Sequence, residues 1–281
     1  ILRDEIGFDG VVVTDWADIE KLVNHHHVAA DEREATKLAV LAGIDMSMVP
    51  YGFSFTDTLL SLVEDGEIPE SRIDESVRRI LQLKLDLGLF EDAYPTEDLV
   101  AEIGSPEHRA ASRRAADEAI TLLENDGTLP LARGTRILVT GPAADDAVVM
   151  HGSWTYSWQG TVRGMYPDTA RTVLTSLRDE AGADRVTYVP GATLTETIDV
   201  EAAAAAARQA DVAVVVLGEW PSTEQPGDIE TLEMPRAQVE LAEAVLATGT
   251  PTVIVLLENR PLIVRDLVDR ARQLERNSVL A

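Results

Sequence analysis

The sequence predicts an α/β protein: the closing βα units of a (β/α)8 barrel over residues 1–90, a linker over 91–110, and a second α/β region over 111–281. Three observations carry this. Val11-Val12-Val13-Thr14 is an unbroken apolar and β-branched run opened by Gly10, the pattern of a short strand buried on both faces of a parallel sheet. Strand and helix patterns then alternate up to residue 90, the order of repeated βα units. A closed barrel needs eight such units and only two are present, so this part reads as a barrel's tail. After residue 135 the alternation resumes with longer apolar runs, such as Val212 to Leu217.

Taken in order, Asp18 to Ala30 is polar, carries His25-His26-His27, and reads as a solvated loop. Adjacent histidines point in different directions and lack the spacing at which side chains share one metal ion. A helix is expected from Asp31 to Ala42, stopped by Gly43. A strand over Ile44 to Val49 is closed by Pro50, and an amphipathic helix follows over Phe53 to Glu64. Ser71 to Leu87 is the clearest helix: Ser71 as cap with Asp74 three residues on, and Ile73, Val77, Ile80, Leu81 and Leu85 as one apolar stripe. Phe90 to Pro106 is rich in acidic residues, proline and glycine and reads as a crossing segment. A helix over Glu107 to Ala119 leads into Ile120 to Glu124 and a turn at Asn125-Asp126-Gly127. Strands are then expected at Arg136 to Thr140, Arg185 to Val189, Val212 to Leu217 and Thr252 to Leu257. Helices fall at Ala170 to Ala181, Glu201 to Gln209 and Arg236 to Ala247, and Arg265 to Ala281 reads as an arginine-rich, helix-like tail.

Composition excludes several functions. The net charge of −25 opposes nucleic-acid binding, because phosphates would be repelled. No run of about 18 apolar residues occurs, so no membrane-spanning helix is expected. Cysteine is absent, which removes disulfides and thiolate metal sites. Gly141-Pro142-Ala143-Ala144-Asp145-Asp146 after the strand at 136–140 is no phosphate loop and adds negative charge where phosphate would sit. Lysine occurs only at 21, 37 and 84. So acidic a chain is expected to be adapted to high salt, where screening removes self-repulsion. A chain that opens at Ile1, almost upon a strand, is expected to start within a longer protein, so a missing signal peptide says nothing of export.

Three stretches have the chemistry of a site. Asp15 falls at the carboxyl end of the first strand with Trp16 beside it, and chemistry gathers at such ends. A carboxylate that reacts and an aromatic face that stacks suit a sugar ring, although Asp15 as a mere cap of the next helix is the plain alternative. The stretch from His151 to Gly160 holds Trp154, Tyr156 and Trp158 in a chain only 5% aromatic, either a stacking platform or part of a buried interface. The stretch from Gly218 to Asp228 carries Glu219, Trp220 and Glu224 directly after an apolar strand, or is simply an acidic surface loop.

These motifs together resemble family 3 of the glycoside hydrolases. The likeness rests on Gly7-Phe8-Asp9-Gly10 through Thr14-Asp15-Trp16, Ala42-Gly43-Ile44-Asp45-Met46-Ser47-Met48-Val49-Pro50, Ser71 to Leu81, and Leu87-Gly88-Leu89-Phe90. Trp154, Trp158, Gln159-Gly160, Gly218-Glu219 and Arg260-Pro261 extend it over most of the chain in the family's order. The resemblance, nearest to the β-glucosidases and exo-acting β-glucan glucohydrolases, implies a retaining glycosidase whose active site lies between a barrel and an α/β sandwich. It implies Asp15 as nucleophile, Glu224 as general acid/base with Glu219 in reserve, Trp16 and Trp158 as the sugar clamp, and Met48 lining the pocket. No metal or organic cofactor is implied, and the partner is a β-glucoside or β-glucan oligosaccharide. A retaining mechanism needs two carboxyls about 5–5.5 Å apart, one ionised and one holding a proton.

Departures matter. Ser222 stands where tyrosine is frequent, and Asn259 where glycine commonly precedes Arg-Pro. Six barrel strands would lie before Ile1, and the closing strands of the sandwich are missing at the carboxyl end, so the sandwich is expected to be incomplete. The chain is therefore expected to depend on a missing barrel segment, or to be a non-catalytic remnant that binds sugar or a partner chain.

Overall fold

The computed structural model describes residues 1–274 and 277–280, in two compact units, Ile1–Ile103 and Gly104–Ala281. The first contains β1 (Val13–Trp16), α1 (Asp18–Asn24), α2 (Glu32–Leu41), β2 (Met46–Met48), α3 (Ser54–Glu64) and α4 (Glu70–Asp86). β1 and β2 form a two-stranded parallel sheet. Its core is modest: Ile19 of α1 packs on Ala35 and Ala39 of α2, and Val40, Leu62 and Ile68 form a second cluster.

Several expectations about this unit are corrected. The first strand is not buried on both faces; Val13 is 50% and Trp16 52% exposed, because a single neighbouring strand covers little of it. Residues 18–24 are helical rather than loop, since Ile19, Leu22 and Val23 share one helical face and pack as a group. His25, His26 and His27 are exposed beyond that helix, and no group of metal-ligating side chains occurs among the described residues. Ser71 does not cap α4: Pro69, extended at φ −69°, precedes the first turn, and no side-chain cap bond is present.

The α4 stripe is the sharpest correction. Val77, Leu81 and Leu85 are exposed, whereas Ser76 is buried and Arg72 and Arg79 turn inward. The cause is Asp45, whose side chain is fully enclosed. It accepts from Arg3 Nη2 at 2.6 Å, Arg79 Nη1 at 2.9 Å, Ser76 Oγ at 2.6 Å and the Val12 amide at 3.0 Å. Burying a carboxylate demands such partners, and this requirement, not apolar area, sets the rotation of α4.

The second unit is a six-stranded sheet in the order β3-β8-β7-β6-β4-β5. Its elements are α5 (Pro106–Ala119), β3 (Leu122–Asn125), β4 (Ile137–Thr140), α6 (Val173–Ala181), β5 (Val186–Val189), α7 (Val200–Ala207), β6 (Val212–Gly218), α8 (Arg236–Leu246), β7 (Thr252–Leu257), α9 (Arg265–Gln273) and β8 (Asn277–Leu280). Pairing is parallel except between β3 and β8. All seven residues of β6 are buried, as its unbroken apolar run requires of a central parallel strand. Ala213, Val215 and Leu217 pack with Ala203, Leu241 and Leu267 from α7, α8 and α9. Val212, Val214 and Val216 pack with Leu174 of α6 on the opposite face. The expected tail over 265–281 is corrected: a helix at 265–273 is followed by β8, which inserts between β3 and β7. Residues 275, 276 and 281 of that stretch lie outside the described residues.

Strand order defines a crevice. The chain leaves β4 to form β5 on one side and returns to form β6 on the other side of β4. The connections after β4 and after β6 therefore diverge at their carboxyl ends, and ligands of open α/β sheets bind at such a switch point. The aromatic loop follows β4 and the acidic loop follows β6.

Candidate active site

In the first unit, Asp15 and Trp16 end β1, and Met48 pairs with Trp16 across the two strands. Thr14 Oγ1 accepts from the Met48 amide at 3.0 Å and donates to the Asp15 carbonyl at 2.9 Å, tying the two strand ends together. Asp15 Oδ1 accepts from the Trp16 amide at 2.7 Å. The helix-cap alternative for Asp15 fails: α1 begins after Ala17, at φ 55°, with no side-chain cap, and Asp15's own amide donates to Asp18. Asp15 stays exposed, and beside it Trp16 lies edge-on to Tyr51 with centroids 6.2 Å apart.

In the second unit the aromatic and acidic loops meet. The aromatic loop is braced internally: Trp154 N–H donates to the Trp158 carbonyl at 2.8 Å, and Tyr166 Oη donates to the Gly160 carbonyl at 2.6 Å. Gly160, at φ 72°, lies so near the loop's start that a Cβ would come within 2.7 Å of the Gly152 oxygen, so only glycine fits. Trp154, Tyr156 and Trp158 are all exposed. Trp158 Nε1 donates to Glu224 Oε1 at 3.1 Å. Its neighbour Gln159 pairs with the Thr223 peptide, Nε2 to the carbonyl at 3.0 Å and the Thr223 amide to Oε1 at 3.0 Å. Glu224 itself has φ 56° and ψ −157°, a region nearly reserved for glycine that costs about 1–3 kcal/mol.

Glu219 has a different environment. Its Oε2 accepts from Arg260 Nε at 2.9 Å and Nη2 at 2.6 Å, and its Oε1 from the Asn259 and Arg260 amides at 3.0 and 2.9 Å. Four donors occupy both oxygens of a side chain that is 13% exposed. Such a carboxylate anchors the loop and offers no oxygen to an incoming sugar. Arg260 also donates to the Gly227 carbonyl and to Ser222 Oγ, and Asn259 Nδ2 reaches the Trp220 carbonyl at 3.2 Å. The two departures, Ser222 and Asn259, thus take part in fastening the acidic loop.

Two supports were invisible in the sequence. Gln238 of α8 is fully buried and holds both peptide groups of Gly218, accepting from its amide at 2.9 Å and donating to its carbonyl at 2.8 Å, with a further bond to the Leu194 carbonyl. A Cβ on Gly218 would come within 2.4 Å of the Leu257 oxygen. Glu258, just past β7, is half-buried, with Oε1 enclosed and unpartnered. Burial pushes its carboxyl up from the ordinary 4.5 to about 7; the Leu262 amide opposes this and nearby Glu219 adds to it. A lone amide or carboxylate far along the chain carries no motif, so only the fold reveals these contacts.

Residues 1–83 match the glycosyl hydrolase family 3 N terminal domain, and residues 120–275 the glycosyl hydrolase family 3 C-terminal domain. The chain belongs to glycosyl hydrolase family 3. It is 43% identical over 274 residues to the lysosomal beta glucosidase of Dictyostelium discoideum, covering 94% of this chain and 33% of that protein. The periplasmic beta-glucosidase of Salmonella typhimurium is 33% identical, covering 93% and 37%, and a beta-xylosidase of Formosa agariphila is 32% identical, covering 96% and 39%. Among solved structures, beta-glucosidase from Listeria innocua in complex with isofagomine superposes with a TM-score of 0.85 at 34% identity, covering all of this chain and 37% of that one. The chain spans about a third of the length of the curated relatives it matches.

Proposed function

We propose that this chain carries the catalytic carboxylates of a retaining glycoside hydrolase that releases terminal non-reducing β-D-glucosyl residues from β-glucosides or β-glucans. Asp15 attacks the anomeric carbon while Glu224 protonates the departing oxygen; Glu224 then removes a proton from water, which displaces Asp15 from the glycosyl intermediate. Trp16 and Trp158 stack on the apolar faces of the sugar and Met48 lines its pocket. The observation that carries this reading is the contrast between the two loop glutamates. Glu224 is exposed, holds one indole donor and keeps an oxygen open, while Glu219 is saturated by Arg260 and two amides. Glucose rather than xylose as the sugar is supported by the lysosomal beta glucosidase, 43% identical where the beta-xylosidase is 32%.

Turnover is expected to require an upstream barrel segment, because β1 and β2 expose Val13, Trp16 and Met46 and form only a two-stranded sheet. The test measures hydrolysis of aryl β-glucosides and β-xylosides by the chain alone and joined to the barrel segment of a family member. In the joined protein, Asp15→Ala should abolish turnover. Glu224→Ala should lose activity on poor leaving groups and recover with azide. The same rescue confined to Glu219→Ala would reverse the assignment, and full activity of the chain alone would remove the need for the segment.

A further inference from the structure

We propose that Gln159 is the positioning residue for Glu224, an inference that rests on the reading of Glu224 as acid/base. The acidic loop needs a holder. Glu224 lies in a backbone conformation that side chains other than glycine rarely adopt, so the flanking peptide must be fixed from outside. The main fastening of this loop, Arg260, reaches Glu219, Ser222 and Gly227. Between those points, the Gln159 carboxamide holds Thr223 on both sides of its Cα, accepting from its amide and donating to its carbonyl at 3.0 Å each. This two-point pairing fastens two successive peptide groups, the second of which leads into Glu224. The adjacent residue, Trp158, then meets the Glu224 carboxylate itself at 3.1 Å. Consecutive residues of the β4 loop thus hold the backbone and the side chain of one carboxylate in the β6 loop.

An amide suits this task better than its isosteres. Asparagine is shorter by one C–C bond, about 1.5 Å, and cannot reach both groups. An ionised glutamate can accept from the Thr223 amide but faces the Thr223 carbonyl without a donor. A protonated glutamate has one O–H and one acceptor oxygen, as the amide does, so Gln159→Glu should behave like the native residue only in acid. Gln159 touches neither sugar nor reacting atoms in this account; it acts through Glu224.

The 281-residue chain itself gives the first test. Heteronuclear NMR at pH 7 follows the Trp158 indole N–H, recognised by its loss in Trp158→Phe. Its shift should move in Glu224→Gln, which removes the charge that the indole donates to. In Gln159→Ala the same Glu224→Gln replacement should move it by less than about half as much, and likewise in Gln159→Glu, whose carboxylate is ionised at this pH. In the protein joined to a barrel segment, Gln159→Ala should lower kcat/KM on phenyl β-glucoside by about 10²-fold, the scale of misplacing a catalytic group by an ångström. With 2,4-dinitrophenyl β-glucoside, which needs little protonation, the change should stay within about threefold. Should Gln159→Ala fail to fold, Gln159→Glu decides the matter by the same indole and leaving-group readouts. A wild-type indole indifferent to Glu224→Gln, a Gln159→Ala indole that responds to Glu224→Gln as the wild type does, or equal losses on both leaving groups would overturn the inference. If instead Glu224→Ala shows neither leaving-group dependence nor azide rescue while the indole coupling stands, the acid/base reading falls, and Gln159 is left as a loop clamp without a catalytic part.

Discussion

Replacing Glu258 with glutamine should stabilise the second unit in alkali and leave it unchanged in acid. The carboxyl is raised from 4.5 to about 7 in the folded chain, mainly by burial, with Oε1 meeting no donor. Below pH 4.5 the group is protonated in both states and contributes nothing. Between 4.5 and 7 the unfolded chain releases a proton that the folded chain keeps, so stability declines as pH rises. Above about 7 both states are ionised and the whole penalty is present. The displacement corresponds to about 3 kcal/mol, which solvent relaxation around a partly buried group reduces to about 1–3 kcal/mol. Glutamine keeps the shape and never ionises. Urea unfolding at pH 4 and pH 8.5, followed by the fluorescence of Trp154, Trp158 and Trp220, should show Glu258→Gln more stable only at the higher pH. An equal difference at both values would show that the carboxyl is hydrated in the folded state and that the reasoning from its enclosure is wrong.

Other consequences are as direct. Asp45→Ala leaves Arg3, Arg72 and Arg79 gathered without their carboxylate and should cost the first unit about 3–5 kcal/mol in chemical denaturation. Burial acts to raise the Asp45 carboxyl, but Ser76, the Val12 amide and Arg79 outweigh it and hold it below 3.8. Its contribution should accordingly persist above pH 4 and fade as pH falls through that lowered value; a wild-type-to-variant gap constant down to pH 2 would contradict this. Gln238→Leu deprives Gly218 and Leu194 of buried partners and should cost about 2–4 kcal/mol, with crevice loops that become more susceptible to protease before global unfolding. Raising salt from low to molar concentration should lift the thermal midpoint by at least about 2–4 °C, the equivalent of about 1 kcal/mol, if the charge of −25 is unfavourable in dilute buffer. A midpoint indifferent to salt would dispose of the halophilic expectation.

How much of this could be read from the residues depends on the range of the interaction. β6 and β7 were legible because unbroken apolar runs can only be central strands, and α8 because its pattern repeats within eleven residues. The loops holding Trp158 and Glu224 could be marked as chemical because aromatics and carboxylates concentrate there. The strand at 277–280 was not legible: Asn277-Ser278-Val279-Leu280 offers two apolar residues, and only its place between β3 and β7 makes it a strand. The buried face of α4 is not legible locally, since it is dictated by a carboxylate some thirty positions upstream, a pairing absent from any local pattern. The preference for Glu224 over Glu219 rests on family likeness; that Glu219 is occupied by Arg260, forty-one positions further on, is written in no local pattern.

The meeting of β3 with β8 has a consequence for biosynthesis. Asn125 and Ser278, bonded at 2.7 Å, are 153 positions apart in the chain. At ordinary elongation speeds the ribosome needs roughly ten to thirty seconds to cover that distance. Throughout this interval Leu122 and Leu123 wait with unanswered backbone groups, and a chaperone or a neighbouring nascent chain has its best opportunity to bind them. Pairing of β3 is therefore expected to come only after β4, β5, β6 and β7 have been made.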